Sequence, residues 1–356
     1  MGLEHLRIDG VRCLGEVAVD LDPMRNYLWG PNGAGKTSCL EAIYLLARGR
    51  SFRSRQTARL VRHGSDRLSV FGRVRDAEGR IRRLGVGFAG GRLTGHLDGE
   101  AVMSQAEMLR LFPVQVIDPR LHQLVEAGPS ERRRYVDSGV FHVEHRFLDD
   151  WRHYRRVLGQ RNAALKAGGP AAEINVWSEP FLAAAGAVHA ARSAYVERLA
   201  AIAADQARAL LGHELKLTYR PGWRRGISLD EALEEHRDRD RAAGFTQVGP
   251  HRADLRLEFD VGGVRETASR GQQKLVAAAL VIAQVRLFEE RTGRSSTVLI
   301  DDASAELDER SQSRLKTALG SLRSQQVLTG LTVEALRPDP GFPVFHVEQG
   351  RIHPVL

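Results

Sequence analysis

The sequence predicts an α/β protein whose head is split by an inserted helical arm. Three observations carry this. Strand and helix patterns alternate at both ends of the 356-residue chain, the signature of a sheet covered by helices. From about residue 142 to 213 the period-2 signal disappears and helical stripes replace it. Residues 30–37, GPNGAGKT, stand between a strand and an amphipathic helix and match G-x-x-x-x-G-K-[ST]. The head is therefore expected in two pieces, 1–141 and 249–356, with the arm at 142–248.

The elements follow in order. LEHLRI (3–8) and EVAVDL (16–21) alternate apolar and polar residues, as half-buried strands do, and RNYLWG (25–30) is a short strand running into glycine. Leu40, Ile43, Tyr44 and Ala47 recur at helical spacing. Stretches 68–75, 81–88 and 93–98 suggest an antiparallel side sheet, and VQVID (114–118) another strand. Phe147, Trp151, Tyr154, Leu158 and Leu165 trace one helical face, interrupted by Arg161. AGGP (167–170) breaks the chain before a second stripe of Val188, Tyr195, Leu199 and Ile202, so two helices joined by a short turn are expected. The first, of about 25 residues, would reach about 40 Å, with Arg152, Arg155, Arg156 and Arg161 exposed. Strands at 252–259, 297–302 and 326–330 and helices at 271–292 and 309–323 complete the head.

Composition narrows the function. Lys and Arg number 52 against 44 Asp and Glu, a net charge of +8, which favours an acidic partner such as nucleic acid. Cys13 and Cys39 form no close pair and no metal spacing, and fit small hydrophobes in a reducing compartment. The N-terminus lacks a basic segment followed by an apolar one, and the apolar run at 275–283 is too short to span a bilayer. A soluble cytoplasmic protein without a membrane partner is expected.

Three motifs carry chemistry. In the first, Gly30, Pro31, Asn32, Gly33, Ala34 and Gly35 form a loop whose amides wrap phosphate oxygens. The following helix N-terminus adds partial positive charge. Lys36 reaches the β- and γ-phosphates of a nucleotide such as ATP, and the Thr37 hydroxyl binds Mg²⁺. In the second, the apolar strand VLIDD delivers Asp301 as a metal ligand and Asp302 as the residue that orients or deprotonates water. In the third, SRGQQK (269–274) opens an almost purely apolar helix, presenting Ser269, Gly271 and Gln272 at a helix N-terminus suited to a γ-phosphate.

The order and spacing of these motifs resemble those of ABC-type ATPases, in which the serine-glycine signature closes over ATP held by a second protomer. ELD (306–308) resembles the loop along that dimer interface, and Thr329 stands where many relatives carry a switch histidine. Within that superfamily the chain resembles the RecF family, through GPNGAGKTSCLEAI (30–43), FRSRQ (52–56), GPSERRRYVD (128–137), GPHRAD (249–254), SRGQQKLVAAALVIAQ (269–284) and LIDDASAELD (299–308). The resemblance implies a slow, DNA-stimulated ATPase that dimerises on ATP and binds single-stranded, gapped or junction DNA. It also implies cooperation with RecR and RecO in loading RecA, and support of replication restart and the SOS response. Another Rad50- or SMC-like ATPase, or the ATP-binding subunit of a transporter, is the alternative. Arg53, Arg55, Arg132, Arg133 and Arg134 are the expected DNA surface.

Overall fold

The computed structural model describes every residue except 55, 103, 169, 303–306 and 356. Arg55, Ala303, Ser304, Ala305 and Glu306, singled out above, therefore lie outside the described residues. The chain divides into two compact units, Met1–Leu121 with Phe288–Leu356, and His122–Leu287.

The first unit contains two six-stranded sheets. One is antiparallel, in the order Val17–Asp20, Gly2–Asp9, Arg67–Arg75, Ile81–Ala89, Arg92–Leu97, Glu100–Ala101. Its strands alternate buried and exposed residues because only one face is covered. The expected side sheet is thus present, and it also takes in the first two strands of the chain. The other sheet runs Arg351–Pro354, Val344–Glu348, Arg25–Trp29, Gln325–Gly330, Thr297–Ile300, Val114–Ile117. It is parallel except for the hairpin made by its first two members. Thr297–Ile300 and Gln325–Gly330 are buried throughout, which is why they read as unbroken apolar runs. The helix Lys36–Arg48 touches strands of both sheets. Leu40, Ile43, Leu45 and Leu46 are fully buried and join the two sheets in a single core with Leu3, Leu6, Ile8 and Leu299.

The second unit is mainly helical. Pro129–Val143, Phe147–Lys166 and Ser178–Leu211 pack on one another, and the helix Arg270–Thr292 begins in this unit. The connection expected as a short turn at 167–170 holds a further helix, Ala171–Asn175, and the first long helix has 20 residues. A three-stranded antiparallel sheet joins Gly262–Gly263, Asp254–Phe259 and Lys216–Arg220. The proposed arm, 142–248, lies inside this unit, which also holds the strand Asp254–Phe259.

Arg161 corrects the sequence reading. It was expected on the exposed side of its helix, yet its side chain is 3% accessible. It donates to Asp240 Oδ2 at 2.9 Å and to Thr246 Oγ1 at 2.5 Å. A buried guanidinium is tolerated only when paired in this way. Among the described residues no helix is long and apolar enough to cross a membrane.

Candidate functional site

The strand Arg25–Trp29 ends at Gly30, and the helix starts at Lys36 with Gly35 as its N-cap residue. Gly30, Gly33 and Gly35 have φ of 154°, 78° and 120°, values that side-chain-bearing residues rarely adopt. Two of these glycines are also pressed by neighbours. A Cβ on Gly30 would stand 2.0 Å from the Val347 carbonyl oxygen, and one on Gly35 would stand 2.7 Å from Leu14 Cδ2. Support therefore comes from two turns that sequence reading passed over. The turn at Gln349–Gly350 has both residues at positive φ, and the Gly350 amide donates to the Ala34 carbonyl at 3.0 Å. The turn at 10–15 places Cys13 against Gly35, and its Arg12 reaches both carboxylate oxygens of the fully buried Glu41 at 3.1 Å. Cys13 is exposed rather than the small buried hydrophobe expected, whereas Cys39 is buried. Single glycines at 10, 15 and 350 were the sequence signal of these turns. On the Cys13 side, an open polar cavity of about 680 Å³ is lined by Cys13, Arg62, Gln349, Gly350, Arg351 and His353.

Lys36 Nζ donates to the carbonyls of Gly30 and Pro31, at 2.6 and 2.9 Å, so the side chain folds back over the loop. Burial lowers the Lys36 pKa, an effect opposed by the nearby Asp302 and Asp301 carboxylates. Those carboxylates arrive from the end of Thr297–Ile300, where Ile300 pairs with Leu328 on one side and Ile117 on the other. Ligands of parallel sheets bind at this carboxyl edge.

Thr37 Oγ1 donates to Asp301, 2.9 and 3.1 Å from its two oxygens. Thr329 Oγ1 donates to Asp301 Oδ1 at 2.9 Å and accepts the Asp302 amide at 3.0 Å. Burial raises the Asp301 pKa, against the lowering effect of the Thr37 and Thr329 hydrogen bonds. Asp302 has φ of 50°, in the left-handed region. Thr37 and Asp301 are hard oxygen donors at one point, which suits Mg²⁺. Among the described residues there is no cluster of three or more His, Cys, Asp or Glu able to hold a metal. Two protein ligands completed by phosphate oxygens and water are the usual Mg²⁺ arrangement at such a site. The donor set therefore fits.

Ser269, Gly271 and Gln272 belong to the second unit. The Ser269 amide donates to Gln272 Oε1 at 2.9 Å and Ser269 Oγ accepts the Gln272 amide at 3.3 Å. This reciprocal capping box accounts for the serine and the glutamine as a helix start. Ser269 remains exposed.

The expected DNA-binding run is largely engaged inside the fold. Arg132 binds both oxygens of Asp254, at 2.7 and 3.0 Å, and two carbonyls besides. Arg133 donates to the Ala253 carbonyl at 2.8 Å, and Arg134 pairs with Glu131. The partners of Arg132 and Arg133 belong to GPHRAD, so those two motifs are halves of one joint. Arg132 is thereby committed within the fold, while Arg133, half-buried, is engaged through one carbonyl.

The chain resembles known proteins along nearly its whole length. Residues 2–350 match the family described as the RecF/RecN/SMC N terminal domain. The chain is 40% identical to the DNA replication and repair protein RecF of Azotobacter vinelandii, with 99% of this chain and 98% of the relative aligned. It is also 40% identical to the RecF of Thioalkalivibrio sulfidiphilus, with 99% of both chains aligned. A solved structure described as the recombination mediator protein RecF-ATP in the RecFOR pathway superposes with a TM-score of 0.87 at 25% identity, covering 100% of this chain and 98% of that one. An Smc head domain from Pyrococcus furiosus reaches a TM-score of 0.62 at 15% identity, a likeness of fold alone, covering 99% of this chain and 96% of that one.

Proposed function

The chain belongs to the RecF family, and from that premise we propose that it is an ATP-dependent DNA-binding protein of recombinational repair and replication restart. One observation carries the reading. Lys36, Thr37, Asp301 and Asp302, with Thr37 and Asp301 264 positions apart, stand together at the carboxyl edge of one parallel sheet. The loop amides and Lys36 bind the phosphates of ATP, and the polar cavity beside Cys13 has room for the ribose and base. Thr37 and Asp301 hold Mg²⁺, which supplies positive charge to the phosphate oxygens. Asp302 orients or deprotonates the attacking water, so that ATP is hydrolysed slowly and faster on DNA.

Ser269 and Gly271 face the ATP of a second copy of the chain, so that ATP drives dimerisation on single-stranded, gapped or junction DNA. RecR and RecO cooperate with that dimer in loading RecA, and the SOS response follows from the same assembly. The net charge of +8 supports a nucleic-acid partner, and salt should weaken binding steeply.

The test is Ser269→Arg. The variant should bind ATP as a monomer with nearly unchanged affinity, since Lys36 and the loop amides supply that binding. It should fail to dimerise with ATP and Mg²⁺ in analytical ultracentrifugation, because a bulky cation fills the space of the partner's phosphate. Dimerisation equal to that of the unaltered chain would reduce the capping box to a helix start.

A further inference from the structure

Thr329 lies near the end of Gln325–Gly330 and is 1% exposed. Its hydroxyl has one proton to donate and two lone pairs. The proton goes to Asp301 Oδ1 at 2.9 Å, and a lone pair accepts the Asp302 amide at 3.0 Å. The Ile300 carbonyl, at 3.4 Å, is the weaker claimant for the same proton. The hydroxyl is thus committed in both directions, to the side chain of one acidic residue and the backbone of the next.

The second bond has a further consequence. Asp302 holds φ of 50°, in the left-handed region that residues other than glycine adopt mainly where local hydrogen bonds support it. The amide bond to Thr329 is one such hydrogen bond. Thr329 is itself fixed, because its strand pairs residue by residue with Arg25–Trp29, and Thr329 lies opposite Leu28. Two residues beyond Leu28 the phosphate loop begins. A single hydroxyl therefore ties both carboxylate residues to the frame that carries the loop.

We infer that Thr329 is a positioning residue for ATP hydrolysis. It holds the Asp301 carboxylate and the Asp302 backbone in one fixed relation and leaves the terminal phosphate to other groups. This rests on the ATPase reading above. It places at the switch position a residue that acts through its neighbours on the same chain.

Thr329→Val removes the hydroxyl and keeps the shape, and Thr329→Ser keeps the hydroxyl. In the full chain, Thr329→Val should lower ATP turnover about 10- to 100-fold, the usual effect of removing a residue that orients a metal ligand. Affinities for fluorescent ATP and ADP analogues, measured in EDTA, should stay within about twofold. The Mg²⁺ concentration that half-saturates the slowing of ATP-analogue release should rise, and Thr329→Ser should restore both readings. Where valine does not fold, Thr329→Cys, a near-isostere with a weak donor, should fall between valine and serine.

Two results overturn the inference while leaving the ATPase reading intact. One is unchanged turnover and Mg²⁺ dependence in Thr329→Val. The other is a selective loss of ATP over ADP affinity, which would put the hydroxyl on the terminal phosphate. Failure of the unaltered chain to bind ATP removes the functional reading and this inference together.

Discussion

Two polar clusters in this molecule use the same residue types to opposite ends. At the carboxyl edge of the parallel sheet, Lys36 donates to backbone carbonyls, and Asp301 accepts from the hydroxyls of Thr37 and Thr329. In the second unit, around GPHRAD, charge meets charge. Arg161 is on Asp240, Arg192 takes both oxygens of Asp137 and the Pro250 carbonyl, and Arg132 takes both oxygens of Asp254. Both ring nitrogens of His251 are engaged as well, by Tyr154 Oη at 2.7 Å and the Thr246 carbonyl at 2.8 Å. The first cluster is open to a charged ligand. In the second the charges are paired with one another, only Arg161 Nε among its described donors being left over, and such a buried paired network rigidifies rather than binds.

The largest effect expected from this contrast is at Lys36. Lys36→Met should weaken ATP binding by about a thousandfold or more, as truncation of one partner in a desolvated charge contact does. Thermal stability should barely change. Equilibrium dialysis beside a melting curve checks both, and a destabilised variant with intact ATP binding would make the first cluster a structural one. Arg161→Met should show the reverse. It strands Asp240 in the interior, and should cost about 3 kcal/mol in urea unfolding with ATP affinity unchanged.

A smaller effect follows from pH. Burial is the main cause that pushes the His251 pKa from 6.5 down to about 4, and Arg252, Arg133 and Arg155 add to it. The fold therefore keeps the ring neutral, while the unfolded chain takes up a proton below about pH 6.5. The contribution is present in full above pH 6.5 and is lost progressively as pH falls toward 4. Melting between pH 7 and 4.5 should show a loss of about 1–2 kcal/mol attributable to this residue, allowing for its partial exposure. His251→Asn should flatten that part of the profile. An identical pH dependence in the variant would remove His251 from the joint.

Much of the first cluster was legible in the sequence, because its motifs are local. A glycine loop before Lys36 and an apolar strand before Asp301 announce themselves within a few residues, and the apolar runs reflect strands buried on both faces. The joint in the second unit was not legible. Arg161 on an apolar stripe looked like a side chain reaching solvent, because its partner Asp240 is 79 residues away. ERRRY was read as part of a DNA-binding surface, because Asp254, the partner of Arg132, lies 122 residues away. The strand Lys216–Arg220 has a weak alternation that gains meaning only beside Asp254–Phe259. Thr329 marked a departure from a familiar pattern, but its hydrogen bonds to residues 27 and 28 positions earlier required the paired strands.

The close approach of Val347 to Gly30 and of Gly350 to Ala34 has a consequence for the order in which the protein can mature. The strand that leads into the phosphate loop lies between two strands drawn from residues 325–330 and 344–348. A ribosome makes those segments long after the loop. The loop therefore emerges well before its neighbouring strands and cannot take its final form until they follow. Closing so long a span carries the entropy of a distant contact. The nascent chain should thus remain unable to hold ATP until the Val344–Pro354 hairpin has left the exit tunnel, so nucleotide capture reports that the whole first unit is in place.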